Sequence, residues 1–326
     1  MRTLRVCEYT KLDDLCERQW AALSARPPAS LSGSRPWVEA AFGAQHPNAE
    51  PLLVAIESDL GMVALLPLAV HQSEGTSTAR VAAAPRNDLA DLLVLPGHAL
   101  EVGPMVMSAL CEITSRGVTI DLENIDPAGA LAAADAHLDL AWTPCEVAPV
   151  IDLRSSGSRA PISLRHRRRW TGMLSTLWRG QQVEFRRITG VDVVSRFPEF
   201  MRLRETRLRS VGRTIDRLRD RSIQAMLTAL ANRGNVQILQ MVVNASVAAA
   251  DLYLVEQPVA MLRLRALDPT MSRFECGHLL LRAAIDTFAG EGYETLDLGR
   301  GAEAYKFLFG AHERVLLRAK RDGLTR

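Results

Sequence analysis

The sequence predicts an α/β fold: a mixed central sheet flanked by helices, built twice along the chain. Three observations predict it. Apolar runs of strand length alternate with segments of helical spacing from one end to the other. The order hairpin, helix, strand occurs in each half. The two closing strands carry near-identical cores, Thr119-Ile120-Asp121-Leu122 and Thr295-Leu296-Asp297-Leu298.

Each element has its own signal. "LDDLCERQWAALSA" has helical spacing. "PLLVAIESDLGMVALLPLAV" is two apolar runs around Ser58-Asp59-Leu60-Gly61, which predicts a hairpin. "HALEVGPMVMSALCEITSRG" predicts a helix interrupted near Gly103-Pro104, and "VTIDLENID" a strand. The stretch "PVIDLRSSGSRAP", where Ser, Gly and Pro cluster, predicts a boundary between domains 1–150 and 151–326. After it come a basic helix, a strand and two further helices. Strands then follow, with turns at Asn244-Ala245 and Gln257-Pro258. "GHLLLRAAIDTFAGEG" places Leu280, Leu281, Ala284, Ile285 and Phe288 on one helical face and closes on Gly290 and Gly292. "YETLDLG" is the final acidic strand of this order.

Composition bounds the class. Hydrophobic residues at 48% and charged residues at 23% are those of a water-soluble globular chain. There is no run of eighteen apolar residues, and the first twenty residues lack the apolar core of a secretory signal. Five scattered cysteines, with no Cys/His cluster at metal-ligand spacing, lead us to expect a reduced cytoplasmic protein without a metal. Net charge is +2, but the span from Arg165 to Arg221 holds sixteen arginines and six carboxylates. Solvated helix faces, capture of a phosphorylated substrate and binding of nucleic acid all account for that excess. Trp170 and Trp178, eight residues apart among the arginines, suit packing against a sheet as well as stacking on bases.

The richest chemistry lies in "YETLDLGRGAEAYKFLFG". Asp297 ends a strand, Arg300 is flanked by glycines, and Glu303, Tyr305 and Lys306 follow. Only Lys11, Lys306 and Lys320 are lysines in a chain that otherwise uses arginine, which favours a need for an amine at 306. Against these stand plain structural roles: a strand-end cap for Asp297, a core aromatic for Tyr305, a solvated lysine. The shared Asp of the two halves favours a structural role for Asp297. Arg300, Tyr305 and Lys306, absent from the first-half copy, are the stronger functional candidates. Cys276, beside His278 at a helix start, fits a small packing residue better than a nucleophile.

The order of elements, with "SLRHRRRWTGML", "FMRLRETRLRSVG" and "FECGHLLLRAAIDTFAGEGYETLDLGRGAEAYKFLFG" along it, resembles the GNAT acyltransferase superfamily. More narrowly it resembles the CelD/BcsL-type acetyltransferases, relatives of the FemABX peptidyltransferases, which carry two GNAT-like folds in tandem. Glu275-Cys276 stands where a Ser-Pro often precedes the glycine in that family. The resemblance implies a degenerate first domain and a second domain carrying the acyl-donor site. It implies an N-acyltransferase using acetyl-CoA or another acyl-CoA to acylate the amine of a small molecule or sugar. Met261, Arg263, Arg273, Gly277 and His278 would then hold the donor. Tyr305, Asp297 and Glu303 would be the catalytic groups, and Trp170, Arg204, Arg207, Arg300 and Lys306 would line the acceptor side. Two other readings stay open: an aminoacyl-tRNA-dependent transferase of FemABX type, for which the basic segment suits RNA, and a non-catalytic binding module.

Overall fold

The computed structural model describes residues 3–24, 33–45, 48–82, 89–134, 140–154, 163–213 and 221–324. The Ser- and Gly-rich stretch 155–161, on which much of the boundary expectation rests, lies outside these residues. The chain divides into two compact units, Met1–Val147 with Arg314–Arg326, and Ala148–Glu313. Among the described residues no helix is long and apolar enough to cross a membrane.

The first unit contains β1 (Arg5–Tyr9), α1 (Glu17–Ser24), α2 (Arg35–Gln45), β2 (Ala49–Ser58), β3 (Gly61–Ser73), β4 (Thr76–Val81) and β5 (Leu93–Val94). α3 (Ala99–Ser115), β6 (Val118–Ile125), α4 (Ala130–Ala133) and β7 (Thr143–Val147) follow. β2 and β3 form the hairpin at Asp59-Leu60, where Gly61 has φ +118°. β3 and β4 are antiparallel, and the chain then crosses over through α3 to β6, which lies parallel to β4. The expected interruption of α3 is absent: the helix runs unbroken through Pro104. Gly103 serves packing instead, because a Cβ there would meet the Ala134 Cβ at 2.8 Å.

The second unit contains β8 (Val150–Asp152), α5 (Leu164–Gly180), β9 (Val183–Thr189), α6 (Val191–Ser210) and α7 (Arg221–Asn232). It continues with β10 (Val236–Val243), β11 (Ser246–Glu256), β12 (Val259–Leu267), α8 (Cys276–Gly290), β13 (Thr295–Asp297) and α9 (Ala304–Phe307). The sheet order is β8-β13-β12-β11-β10-β9. β11 and β12 are antiparallel, and α8 carries the chain over to β13, parallel to β12. This is the same path as β3-β4-α3-β6. Asp121 pairs with Arg80 and Asp297 with Met261, so the two aspartates occupy equivalent register positions of a duplicated unit. The apolar face of α8 is buried as its spacing predicts: Leu280, Leu281, Ala284, Ile285 and Phe288 are at most 2% exposed. Each large side chain removed from water there contributes about 1.5–3 kcal/mol.

The last strand, β14 (Val315–Arg321), departs from the expected span of the second domain. It joins the first unit, antiparallel to both β6 and β7, and extends that sheet to β1-β2-β3-β4-β6-β14-β7. In the second unit the corresponding flank of β13 is taken by β8.

Asp91 organises the first unit after its β4 strand. Its buried carboxylate accepts backbone N–H bonds of 2.8 Å from each of Leu92, Ala130 and Leu131. Asp91→Ala leaves all three donors without an acceptor, at a cost of about 3 kcal/mol. Urea unfolding should show that loss, with Asp91→Asn losing less; an unchanged midpoint for Asp91→Ala would refute the assignment.

Candidate acyl-transfer site

The site arises where two parallel strands part. β12 and β13 are hydrogen-bonded only over Val259–Met261 and Thr295–Asp297. β12 then shifts register against β11: Tyr253 faces Leu262 but Leu252 faces Leu264, which makes Arg263 the extra residue of a bulge. A bulge bends its strand and increases its twist. β12 continues to Leu267, whereas β13 stops at Asp297 and the chain turns through Gly299 (φ +68°) and Gly301 (φ +102°). That turn is tied from inside. Lys306 Nζ donates to the carbonyls of Gly299 (3.0 Å), Arg300 (2.8 Å) and Gly301 (2.9 Å), and pairs with Glu303 Oε2 at 2.9 Å. The Gly299 N–H donates to Asp297 Oδ1 at 2.7 Å.

Beside this parting, a cavity of about 300 Å³ lies where β12 leads into α8. Arg207, Arg265, Glu275, Gly277, His278 and Tyr305 are among its lining residues. Gly277 permits the close approach of α8 to β12: a Cβ there would meet Leu267 Cδ2 at 2.9 Å. The backbone N–H groups of Cys276 and Gly277, in the first turn of α8, have no backbone acceptor among the described residues. They point the positive end of a fifteen-residue helix at the cavity.

One wall is a buried charge pair. Asp251 is fully buried, and Arg265 grips it through Nε (2.8 Å) and Nη2 (2.7 Å). Burial pulls the Arg265 guanidinium down, but the charge and hydrogen bonds of Asp251 outweigh it and hold it raised. Tyr253 donates its hydroxyl to Asp251 Oδ2 at 3.2 Å; burial, then the Asp251 charge, pushes that phenol well up. Arg265 also lies 5.0 Å from the centre of the Tyr305 ring. Burial raises the Tyr305 phenol against the opposing charge of Arg265, so it holds its proton at neutral pH.

The other wall is centred on Glu275, the residue between the 3-10 turn Pro269–Phe274 and α8. Its carboxylate accepts from Arg169, from Trp170 Nε1 (3.0 Å) and from His278 Nδ1 (3.2 Å, with the imidazole proton on that nitrogen). Burial would raise this carboxyl, but the hydrogen bonds from His278 and Trp170 and the charge of Arg169 hold it below the usual carboxylate range. Burial lowers the His278 imidazole against the pull of Glu275, leaving it neutral near pH 7. Trp170 stacks on Phe309 at 4.6 Å and touches the His278 ring at 5.7 Å.

The structure thus brings four of the sequence-predicted residues into one cavity: Arg207, Gly277, His278 and Tyr305. Trp170 stands behind the cavity, holding Glu275. Met261 is buried on β12 and Arg263 forms the bulge. Arg204 donates to the Arg265 carbonyl at 2.5 Å, bracing β12 from α6. Arg273 extends over the Phe274 ring, 4.5 Å from its centre, and Arg300 belongs to the turn itself. Two expectations are corrected. Lys306 is not an acceptor-binding amine: it is 3% exposed, and its three N–H bonds are spent on backbone carbonyls and Glu303. Glu303 is a poor general base: burial would raise its carboxyl, but the Lys306 hydrogen bond keeps it low. Sequence reasoning missed Asp251, Arg265 and Phe309, and saw Glu275 only as a departure from a loop pattern. The signal for the charge pair was an Asp and an Arg inside two apolar strands of one hairpin.

Residues 164–307 match the model of an acetyltransferase (GNAT) domain family. That segment is a GNAT-type acetyltransferase domain, and the chain has the fold of tandem GNAT proteins. Among solved structures, FemX is similar at 9% identity over 93% of this chain and 96% of that one, with a TM-score of 0.69. The C-terminal domain of a lysylphosphatidylglycerol synthetase from Agrobacterium fabrum is similar at 13% identity, 94% and 91% coverage and TM-score 0.60. A tandem GNAT protein from the clavulanic acid pathway is similar at 15% identity, 99% and 100% coverage and TM-score 0.54. No curated protein matches the chain.

Two outcomes test the geometry. Lys306→Met strands the buried Gly299 carbonyl and the half-buried carbonyls of Arg300 and Gly301, and should cost about 2–3 kcal/mol in urea unfolding; full stability with impaired ligand binding would restore a ligand role. Burial pushes the Cys276 thiol up to about 11. Iodoacetamide at pH 8 should therefore alkylate exposed Cys16 and spare Cys276 on peptide mapping, and rapid loss of Cys276 would contradict its burial.

Proposed function

We propose that the protein transfers an acyl group, in the simplest case acetyl, from acyl-CoA to the amine of a small molecule or sugar in a ternary complex. One observation carries this reading: the cavity at the start of α8 presents the N–H groups of Cys276 and Gly277, without backbone acceptors among the described residues, beside the guanidinium groups of Arg207 and Arg265. Such a combination suits the diphosphate of the donor. From there the pantetheine arm would follow the free edge of β12 towards the parting from β13. Met261 and Arg263 lie on that path, and backbone amides could polarise the thioester carbonyl. The amine attacks the carbonyl carbon; a C–N bond forms as the C–S bond breaks. Tyr305, still protonated at neutral pH, would give its proton to the departing thiolate, and the proton lost by the amine passes to water. All five cysteines are free thiols, in keeping with action on CoA in the cytoplasm.

A second reading has its own support. Glu275 puts a carboxylate in the cavity, which suits the ammonium of an aminoacyl group, and Arg165, Arg168 and Arg169 of α5 are exposed, as an RNA backbone would require. Calorimetry with acetyl-CoA and with charged tRNA separates the two. The first reading expects acetyl-CoA binding that tolerates moderate salt; tRNA binding alone, falling steeply with salt, would replace it with the second. For the first reading, Tyr305→Phe should lower kcat about 10²-fold with little change in KM. An unchanged kcat would remove Tyr305 from the chemistry.

A further inference from the structure

We infer that Arg204 is a catalytic residue of acyl transfer: its guanidinium, standing at the free edge of β12 without an acidic partner, takes up the negative charge that develops on the acyl carbonyl oxygen. The inference rests on the acyl-CoA reading of the site. The ladder places Arg204 at that edge. In an antiparallel pair, residues alternate between turning their N–H and C=O to the partner strand and turning them away. The Asp268 N–H donates to the Ala248 carbonyl at 2.9 Å, so the backbone groups of Asp268 and Ala266 face β11. Those of Arg265 and Leu267 turn the other way, into the space that β13 leaves by ending at Asp297. Arg204 Nη1 donates to this outward carbonyl of Arg265 at 2.5 Å. The guanidinium therefore covers an acceptor, and the outward N–H of Arg265 remains as a donor beside it.

Arg204 is a cation without a counter-ion. Among the described residues its one hydrogen bond goes to that carbonyl, and its Nε is buried with no partner. Asp251 is held by Arg265, and Glu205, the next residue of α6, by Arg209. Burial and the like charge of Arg263 both lower the Arg204 guanidinium, opposed by the charge of Asp251. A brace between helix and strand needs no charge, and a buried cation without a counter-ion is costly. Such a group points to a negative charge brought by a ligand. The diphosphate has Arg207, three residues on, and the start of α8. The pantetheine arm laid along this edge is uncharged. Charge appears there only during reaction: as the amine attacks, the carbonyl π pair moves onto oxygen, and it returns as the C–S bond breaks. Arg204 donates hydrogen bonds to that oxygen and transfers no proton.

The test is calorimetric titration of the full chain, as wild type, Arg204→Gln and Arg204→Lys, with CoA, S-carboxymethyl-CoA and S-carbamoylmethyl-CoA. The two derivatives differ in carrying a carboxylate or a neutral amide where the acyl oxygen would sit. Melting temperatures serve as the control for folding. Wild type should bind the carboxymethyl derivative about tenfold more tightly than the carbamoylmethyl one. Arg204→Gln, which can still bond the Arg265 carbonyl, should lose that preference and melt no lower than wild type. Arg204→Lys, which keeps the charge, should retain most of it. An undiminished preference in Arg204→Gln overturns the inference. So does an equal weakening of CoA and both derivatives, which would give Arg204 to the diphosphate, and so does loss of preference in both variants together with lower melting temperatures, which would leave it a brace. CoA binding by wild type with no preference between the derivatives overturns the inference alone. If wild type binds none of the three, the acyl-CoA reading falls and takes the inference with it.

Discussion

The cavity, the turn and the placement of Tyr305 all depend on the parting of β12 from β13 beyond Met261 and Asp297. Two parallel strands that begin hydrogen-bonded would continue so unless something bent one and ended the other. The bulge at Arg263 bends β12, and the Lys306 ammonium ends β13 by gathering the carbonyls of Gly299, Arg300 and Gly301. Three carbonyls turned towards one point would repel each other in a buried setting. A single –NH₃⁺ with three donors satisfies all of them, which the planar fork of an arginine could not do in the same space. A chain with 36 arginines and three lysines therefore has a physical reason for lysine here, and that reason is architecture.

A second buried pair turns this opening into a site. Asp251 and Arg265 face each other on neighbouring strands, and Tyr305 lies over the guanidinium. A buried ion pair contributes little net stability, but removing one partner alone costs about 3–5 kcal/mol because the other charge is stranded. What the pair does give is position. Arg265 is held by two hydrogen bonds to one carboxylate, so the ring above it has a fixed support and a fixed charge beneath it.

Much of this was legible in the sequence, and the parts that were not share a cause. Hairpins and the apolar face of α8 are local, and period alone reveals them. The match of Thr119–Leu122 to Thr295–Leu298 located the duplicated unit. β14 was missed because its partners, β6 and β7, lie about 200 and 170 residues away, and nothing in "VLLRAKR" names them. The Asp251–Arg265 pair was hidden by the bulge. Counting back evenly from the Glu256–Val259 pair sets Asp251 opposite Leu264, and the single extra residue moves it to Arg265. Lys306 was noticed for its rarity and assigned the wrong task, since only three dimensions show which atoms surround its ammonium. Glu275 stood out as an irregular loop residue, but its partners Arg169 and Trp170 lie more than a hundred positions away.

The duplicated halves explain why one of them would carry the chemistry. In the first unit β6 continues four residues past its Asp121–Arg80 pair, and the opening that β4 and β6 would leave is closed by the chain itself: Ala90 bridges to Ile125 in parallel and donates its N–H to the Asn124 carbonyl at 2.8 Å. Asp121 is drawn between Arg80 and Arg318, so β14 seals the other side of β6 with charge as well as with backbone bonds. At the equivalent place in the second unit the aspartate caps a glycine turn and the strand ends. The same register position thus closes a sheet in one copy and releases a strand in the other. What separates a filled copy from one able to take a ligand is where the strand after the crossover helix stops.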